Sequence, residues 1–389
     1  MPGITPAAGA VSPTRDAGAV AGPARIAASP APLAAGPAHG SAPAGGEREG
    51  PTLGPLAAAA TMGFGIWMLI GLFLDGWAHQ TQRPDSFFTP WHAVIYSGFA
   101  GASAVGIGLV WRQHQPGRTW RAAVPQGHGL SLVGLAIFAV GGAGDLVWHQ
   151  LFGVEVSVEA LLSPTHLLLM VGGTLALTGP LRVAWQADDD ARALRDVAGP
   201  VVGIALVTGL AMFFTMYASP FGTDAVRFGS ARTDVHDFAT VSRPAFEQLR
   251  EMWVLGGILL TTVLVVVPVV LLRRRWRLPV GSYLVLLSAL GIMEAALGDL
   301  RRPLLAVGFP LAGVVAEAMA RRRAPVPATA AAIPAVIWLG YFAGVAVQYG
   351  IGWSAELWSG AVVLSALAGL VVSLLVDPRL ADRSGRALA

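Results

Sequence analysis

The sequence predicts an all-α protein, a polytopic transmembrane helical bundle of about ten spans that includes repeated helix hairpins. Three observations lead to this prediction. Apolar residues make up 54% of the 389 residues and charged residues only 13%, about half the charged share of an ordinary soluble domain. Apolar runs of about 20 residues, long enough to cross a bilayer as helices, recur from Leu56 onward. Arginines cluster in alternate connections between these runs.

The segment before the first apolar run has the composition of a disordered tail. Residues 1–52 are rich in Ala, Pro and Gly and carry few charges. Such a segment buries too little apolar surface to offset the entropy lost on ordering. It holds no apolar stretch of signal-peptide length, so we expect no cleaved leader. The predicted transmembrane domain occupies 53–378, and 379–389 form a short basic cytoplasmic tail.

The transmembrane domain contains ten apolar runs, of which the eighth is short and rich in Gly and Pro. The first four form two hairpins, 56–111 and 128–185, for which we expect a tandem duplication. The predicted spans are 56–79, 89–111, 128–149, 163–185, 198–218, 251–272, 280–298, 303–320, 333–350 and 356–376.

The arginine pattern predicts the orientation of the bundle. Arginines follow every second span, which the positive-inside rule assigns to the cytoplasm, so both termini are expected there. The Ala/Gly/Arg-rich composition is typical of a high-GC bacterium, which predicts a multi-pass protein of the inner (plasma) membrane. The pI of 9.8 reflects these loops, and we expect no nucleic acid partner. The clusters are Arg112, Arg118 and Arg121; Arg182, Arg192 and Arg195; Arg273, Arg274, Arg275 and Arg277; Arg321, Arg322 and Arg323; and Arg379, Arg383 and Arg386.

One basic pair, Arg301 and Arg302, is predicted on the outer side, where Glu294 and Asp299 are candidate partners. The long outer connection, 219–250, carries further acidic residues.

Each of the first two hairpins carries the same polar motif at its predicted outer end. An Asp and a His four residues apart close one span, and a hydroxyl residue, Pro, a spacer and a His open the next. The two copies are Asp75, His79, Thr89, Pro90 and His92, and Asp145, His149, Ser163, Pro164 and His166.

The motif has the composition of a metal site. Residues i and i+4 share one face of a helix, so the Asp and the first His point the same way. The hydroxyl residue is an N-cap and Pro fills the first helical position. The second His then lies in the first turn, where the helix dipole disfavours imidazolium and leaves the neutral form that binds metal. The chain has no cysteine. The predicted ligands of iron, zinc or copper(II) are Asp75, His79, His92, Asp145, His149 and His166.

Other interpretations of the motif remain open. Trp77, Trp91 and Trp148 are ordinary interface aromatics, and the Asp/His pairs can simply hydrogen-bond to each other. The presence of two matching copies favours a site, because ionisable residues at membrane depth are usually functional. A permease for a small solute, with the Asp/His pairs as proton relays, is the main alternative to metal binding. A haem protein with axial histidines is the third.

Weaker candidates lie elsewhere. His236 and Asp237, in the outer connection, can cap the site, although solvated loop residues are the simpler interpretation. Two histidines and an acidic run, each predicted to be ordinary loop residues, are His114, His128, Asp188, Asp189 and Asp190. The sequence shows no phosphate loop, dinucleotide fingerprint, catalytic triad or zincin motif.

The spacing of Asp75, His79 and His92, with 12 residues between the two histidines, resembles the copper motif of the C subunit of membrane copper monooxygenases. Those enzymes oxidise methane or ammonia. The resemblance covers about twenty residues by this motif spacing alone. It implies copper at these three residues and membrane partner subunits. The second hairpin departs from the pattern, with 16 residues between His149 and His166, which puts the oxidative activity in doubt.

Overall fold

The computed structural model describes residues 50–81, 83, 86–153, 158–186, 194–222, 226, 242–298 and 300–376. The chain divides into units 1–47 and 48–389, and every described residue lies in the second. The predicted tails therefore fall almost wholly outside the described residues. At the edge of the first tail, the carbonyl of Pro51 accepts a hydrogen bond of 3.1 Å from the backbone of Gln126. The described residues thus include 50–52, the end of the segment predicted as a tail.

The described residues form helices joined by short connections and contain no strand. Short 3₁₀ helices occupy Trp120–Ala123, Met216–Ala218, Pro220–Gly222 and Pro303–Ala306. The α-helices are α1 (Pro55–Gln80), α2 (Pro90–Gln113), α3 (Gly129–Phe152), α4 (Glu159–Leu162), α5 (Pro164–Leu177), α6 (Gly179–Gln186), α7 (Leu194–Phe214), α8 (Ser242–Arg275), α9 (Ser282–Leu297), α10 (Gly308–Arg321), α11 (Val326–Gln348) and α12 (Ala355–Leu375).

The predicted all-α, polytopic bundle is confirmed. Within the described residues, nine helical segments are long and apolar enough to cross a membrane. The remaining predicted span corresponds to α9, which is apolar but only 16 residues long. α5 and α6 together make one of the nine spans. Many apolar side chains on these helices are exposed, which suits contact with lipid.

Both hairpins are held by close helix contacts at glycine. In the first, a Cβ added at Gly98 would lie 2.7 Å from the backbone nitrogen of Met68. In the second, a Cβ at Gly134 would lie 2.6 Å from the carbonyl oxygen of Gly172, and one at Gly172 2.8 Å from that of Gly134. Small residues allow membrane helices to approach this closely. The reciprocal contact fixes how α3 and α5 present their ends to each other.

The main core lies in the second half of the bundle and extends into a segment predicted as loop. Trp338 and Tyr341 of α11 are buried there against Phe221. The sequence places the start of an outer loop at 219, but Ser219 and Phe221 are buried. The carbonyl of Pro220 accepts a hydrogen bond of 3.0 Å from the Tyr341 hydroxyl, so this segment turns inward. The predicted fifth span, 198–218, correspondingly ends as a helix at Phe214.

The arginines form contacts at the end of the bundle opposite the Asp/His motifs. Each of these side chains donates to a backbone carbonyl of a loop or of the last turn of another helix, where the carbonyls lack intrahelical partners. The bonds run from Arg182 to Gly127 at 2.9 Å, from Arg275 to Trp185 at 3.3 Å, from Arg274 to Ser373 at 2.7 Å, and from Arg273 to Ala324. The bundle therefore has a basic end and an Asp/His end.

Candidate metal centre

The second hairpin brings its three predicted ligands together. Asp145 and His149 lie in the last two turns of α3, and His166 lies in the first turn of α5. His149 Nε2 is 3.4 Å from Oδ2 of Asp145, and His166 Nε2 is 3.6 Å from Oδ1. One ligand atom from each residue lies within 4.8 Å of the other two, and in the described part of the chain no other group of three His, Asp or Glu does so.

These separations match the edges of a metal coordination polyhedron. Bonds of 2.0–2.2 Å to nitrogen or oxygen place neighbouring donors about 2.8–3.6 Å apart in octahedral or tetrahedral geometry. The Asp145–His149 and Asp145–His166 distances fall within that interval. Asp145 is buried, at 8% exposure, so its charge is removed from bulk water. A buried carboxylate of this kind requires a compensating positive charge or strong hydrogen bonds.

A hydrogen-bond chain orients His166. Thr165 Oγ1 donates to Asp145 Oδ1 at 2.8 Å, since the carboxylate only accepts. With its hydrogen so used, Thr165 accepts from Ser163 Oγ at 3.2 Å, and Ser163 in turn accepts from His166 Nδ1 at 2.7 Å. This direction places a proton on Nδ1, so in the neutral imidazole the Nε2 lone pair faces the carboxylate. Such an outer-shell bond to Nδ1 is what orients histidines that ligate metals.

The first hairpin repeats this arrangement more loosely. His79 Nε2 and His92 Nε2 approach the same atom, Oδ1 of Asp75, at 3.6 and 3.1 Å. That Oδ1 atom is buried and takes no hydrogen bond from the described residues. The ligand atoms of these three residues do not all lie within 4.8 Å of one another, as those of the second hairpin do. The two predicted ligand sets are therefore alike in contacts but unequal in convergence.

The orientation of His92 also comes from its other ring nitrogen. Nδ1 lies 2.9 Å from the carbonyl oxygen of Ser86, which can only accept, so Nδ1 carries the proton. Thr89 Oγ1 lies 2.9 Å from the same nitrogen. The Thr89 side chain accepts no backbone hydrogen bond from the described helix α2, so the predicted N-cap bond is absent there. Ser163 does cap α5, accepting from the His166 backbone at 3.3 Å.

The two sets of ligands open into one cavity of about 960 Å³. Five of the six predicted residues line it. The ring of the sixth, His149, lies edge-on to that of His166, with centroids 6.1 Å apart. The two sets therefore share one cavity, and His149 alone of the six does not line it. Its other walls come from the ends of α7 and α9 and from the turn after α9. The five are Asp75, His79, His92, Asp145 and His166.

The remaining sequence candidates lie away from this centre. The His114 ring stacks on Trp120, with centroids 3.8 Å apart, at the basic end. His128 lies at the same end, with its Nδ1 atom 2.8 Å from the carbonyl oxygen of Gln126. Glu294 is buried and accepts a hydrogen bond of 2.8 Å from Ser219, a partner other than the expected Arg301. His236, Asp237, Asp299 and the acidic run 188–190 lie outside the described residues.

Sequence reasoning overlooked two groups that orient the ligands. Thr165 occupies the position treated as a spacer, although a hydroxyl between Pro164 and His166 is a usable signal. The carbonyl of Ser86 carries no side-chain signal and depends on the path of the loop.

No protein family, curated protein or solved structure matches the chain in comparisons of sequence and fold.

Proposed function

We propose that this chain is a multi-pass membrane metalloprotein that binds a divalent first-row metal ion, copper included, through its Asp/His hairpins. Asp145, His149 and His166 make the better-formed site. Asp75, His79 and His92 make a second. The proposal rests mainly on the three ligand atoms of the second hairpin, which lie within 4.8 Å of one another. Two imidazoles with one carboxylate suit iron, zinc or copper(II).

The electrostatics support a cation between the rings and the carboxylate. In the neutral tautomer assigned to His92, the Nε2 lone pair lies 3.1 Å from Oδ1 of Asp75, and both are acceptors. A proton or a metal ion must offset their repulsion. Since two imidazoles approach one carboxylate in each hairpin, a single bridging proton would serve only one contact. At the second hairpin a metal ion would engage all three groups, whose donor atoms lie within 4.8 Å of one another, and this favours metal over proton.

The chain's own residues would hold and orient the ion. The Thr165 hydroxyl donates to the carboxylate of Asp145, and the carbonyl of Ser86 accepts from the imidazole of His92. These bonds hold the donor groups in position before an ion binds. Three protein donors leave coordination positions open toward the cavity, as in sites that act on a bound molecule. When bound, the ion supplies Lewis acidity or redox chemistry. These features suit metal handling or metal-dependent chemistry at a membrane surface.

A proton-relay permease is the second candidate, and one observation favours it. The chain from His166 through Ser163 and Thr165 to Asp145 is continuous and directional, as proton pathways are. A haem site is less well supported. Nε2 of His92 and of His166 already lies within 3.6 Å of a carboxylate oxygen, on the side where a porphyrin would need clearance.

We infer that the Asp/His end faces outward and the basic end faces the cytoplasm of a bacterial inner membrane, with both termini inside. The backbone-carbonyl bonds of Arg182, Arg274 and Arg275 support this, because they gather cationic side chains at one end of the bundle. Cytoplasmic connections carry such an excess of Arg and Lys.

Metal titration of the purified protein tests the proposal. After chelator treatment, the protein in zwitterionic nanodiscs is titrated with Zn²⁺ and with Cu²⁺ by calorimetry. His149→Ala and Asp145→Asn should each weaken binding at the second site by about tenfold or more. His79→Ala should do so at the first. His114→Ala, at the basic end, is the matched control and should bind as wild type does.

Two results would count against the metal site. One is wild-type protein that binds neither ion while remaining folded. The other is stoichiometric binding that is unchanged in His149→Ala and Asp145→Asn. A pH-dependent solute flux that both variants lose, without bound metal in the wild type, would instead support the permease.

A further inference from the structure

The cavity beside the ligand sets is much larger than a metal ion requires. Its volume of about 960 Å³ lies at the upper end of pockets that hold organic molecules, roughly 300–1,000 Å³. One water molecule takes a share of about 30 Å³. A site that only captured or passed an ion would not need this space. The size therefore points to an organic ligand.

The floor of the cavity is apolar and aromatic. Phe138, Phe213, Phe214 and Leu210 line it, and the last three belong to a packed, buried cluster of α1, α2, α5, α7 and α9. Phe213 packs edge-on against Phe73 with ring centroids 5.6 Å apart, which holds its ring in place. Such a surface suits an apolar ligand body, which gains from leaving water.

The wall beyond α9 is cationic. Arg301 and Arg302 both line the cavity, and they are the basic pair that the topology places away from the other arginine clusters. The Arg302 guanidinium lies 5.7 Å from the ring centroid of Tyr349, so the ring partly orients it. The two arginines follow Leu300, whose φ of 53° is a left-handed conformation unusual for leucine. Strained residues of this kind collect at functional turns.

We propose that the cavity binds an organic carboxylate whose apolar body lies on the aromatic floor and whose anionic group pairs with Arg301 and Arg302. Guanidinium groups recognise carboxylates through paired charge-assisted hydrogen bonds. The end of the ligand away from the arginines then faces the Asp/His sets. The inference rests on the proposed metal site only for that far end. The carboxylate contact stands on the cavity and the arginines alone.

Binding of a matched pair of probes tests this assignment. Naphthalene-2-carboxylate and its neutral analogue 2-naphthamide are titrated into the full chain in phosphatidylcholine nanodiscs. The carboxylate should bind at least about tenfold more tightly than the amide, and added salt should weaken the binding of the carboxylate only. Arg301→Gln with Arg302→Gln should remove the difference. Arg250→Gln, beside Glu247 and away from the cavity, is the control and should retain it.

The outcomes separate this inference from the metal proposal. Zinc content is measured on the same samples, and the double arginine variant should keep it. Carboxylate preference in a protein that binds no metal would uphold the inference and defeat the metal site. Equal affinity for carboxylate and amide in the wild type would overturn the inference, whatever the variants do. Displacement of the probe by phosphatidylglycerol in the nanodisc would also overturn it, since the anion would then be a lipid headgroup.

Discussion

The hydroxyl of Thr165 donates a hydrogen bond of 2.8 Å to Oδ1 of Asp145, joining the start of α5 to the end of α3. This bond fixes the carboxylate that both histidines of the second hairpin approach. Thr165→Val keeps the shape of the side chain and removes the donor. Loss of an outer-shell partner of this kind weakens metal binding by about 10- to 100-fold.

The measurement is calorimetric titration with Zn²⁺ of wild type and variant. Thr174→Val, farther along α5, is the matched control and should leave affinity unchanged. The first hairpin has Trp91 at the position equivalent to Thr165, so its site should be unaffected. Unaltered affinity at the second site in Thr165→Val would remove the role assigned to this hydroxyl.

Close packing at Gly172 should make the second hairpin sensitive to a single methyl group. A Cβ there would lie 2.6 Å from the backbone nitrogen of Phe138, so the helices must separate. We expect Gly172→Ala to destabilise the protein by about 1–3 kcal/mol, the usual effect of overpacking. Thermal unfolding in detergent measures it.

Gly108→Ala is the control for that experiment. Nothing lies within 4 Å of a Cβ at Gly108, in α2. Alanine favours helix over glycine by up to about 1 kcal/mol, so this variant should be equal to or more stable than wild type. Similar melting of both variants would contradict the observed contact between α3 and α5.

The pair Ser219 and Glu294 should contribute to stability as a unit. The Ser219 hydroxyl donates to the buried Glu294 carboxyl at 2.8 Å. Ser219→Ala removes that donor from a buried acceptor, which costs about 1–3 kcal/mol. The double variant with Glu294→Leu should recover part of the loss, because the buried carboxyl that lost its donor is then removed. The Phe221 N–H, which donates to Ser219 Oγ at 3.2 Å, loses its acceptor in both variants, so recovery is incomplete. A double-mutant cycle of melting temperatures with zero coupling would exclude this account.

The positive-inside rule gives a further prediction about orientation. Reporter fusions ending at Arg118 and at Gly222 should report opposite sides of the membrane, with Arg118 cytoplasmic. Alkaline phosphatase, active only outside, should therefore be active at Gly222 and inactive at Arg118. Activity at both positions, or at neither, would contradict the proposed topology.

The fold was accessible from the sequence because the bilayer imposes strong rules on composition. Runs of apolar residues and alternate arginine clusters were sufficient for the number and boundaries of most helices. The inward turn at Ser219 was missed because its partners, Glu294 and Tyr341, are distant in sequence. Nothing local distinguishes that segment from a surface loop.

The ligand sets were partly accessible for a related reason. The spacing of Asp145 and His149 follows from helix geometry, so their common face was predictable. The unequal convergence of the two sets was not, because the second His of each set lies on a different helix and its approach depends on how the two helices pack. Thr89 has the residue type of a helix cap, yet its hydroxyl contacts the His92 ring and makes no cap bond. The sequence alone does not predict this partner.

The most direct test of the central claim is X-ray absorption spectroscopy on zinc-loaded protein. His79→Ala with His92→Ala disables the first site, so that the signal reports Asp145, His149 and His166 alone. We predict that the spectrum shows two imidazole ligands and an oxygen ligand at about 2.0–2.2 Å from the zinc. Adding His166→Ala should remove one imidazole. A spectrum without imidazole scattering, or one unchanged by His166→Ala, would contradict the account.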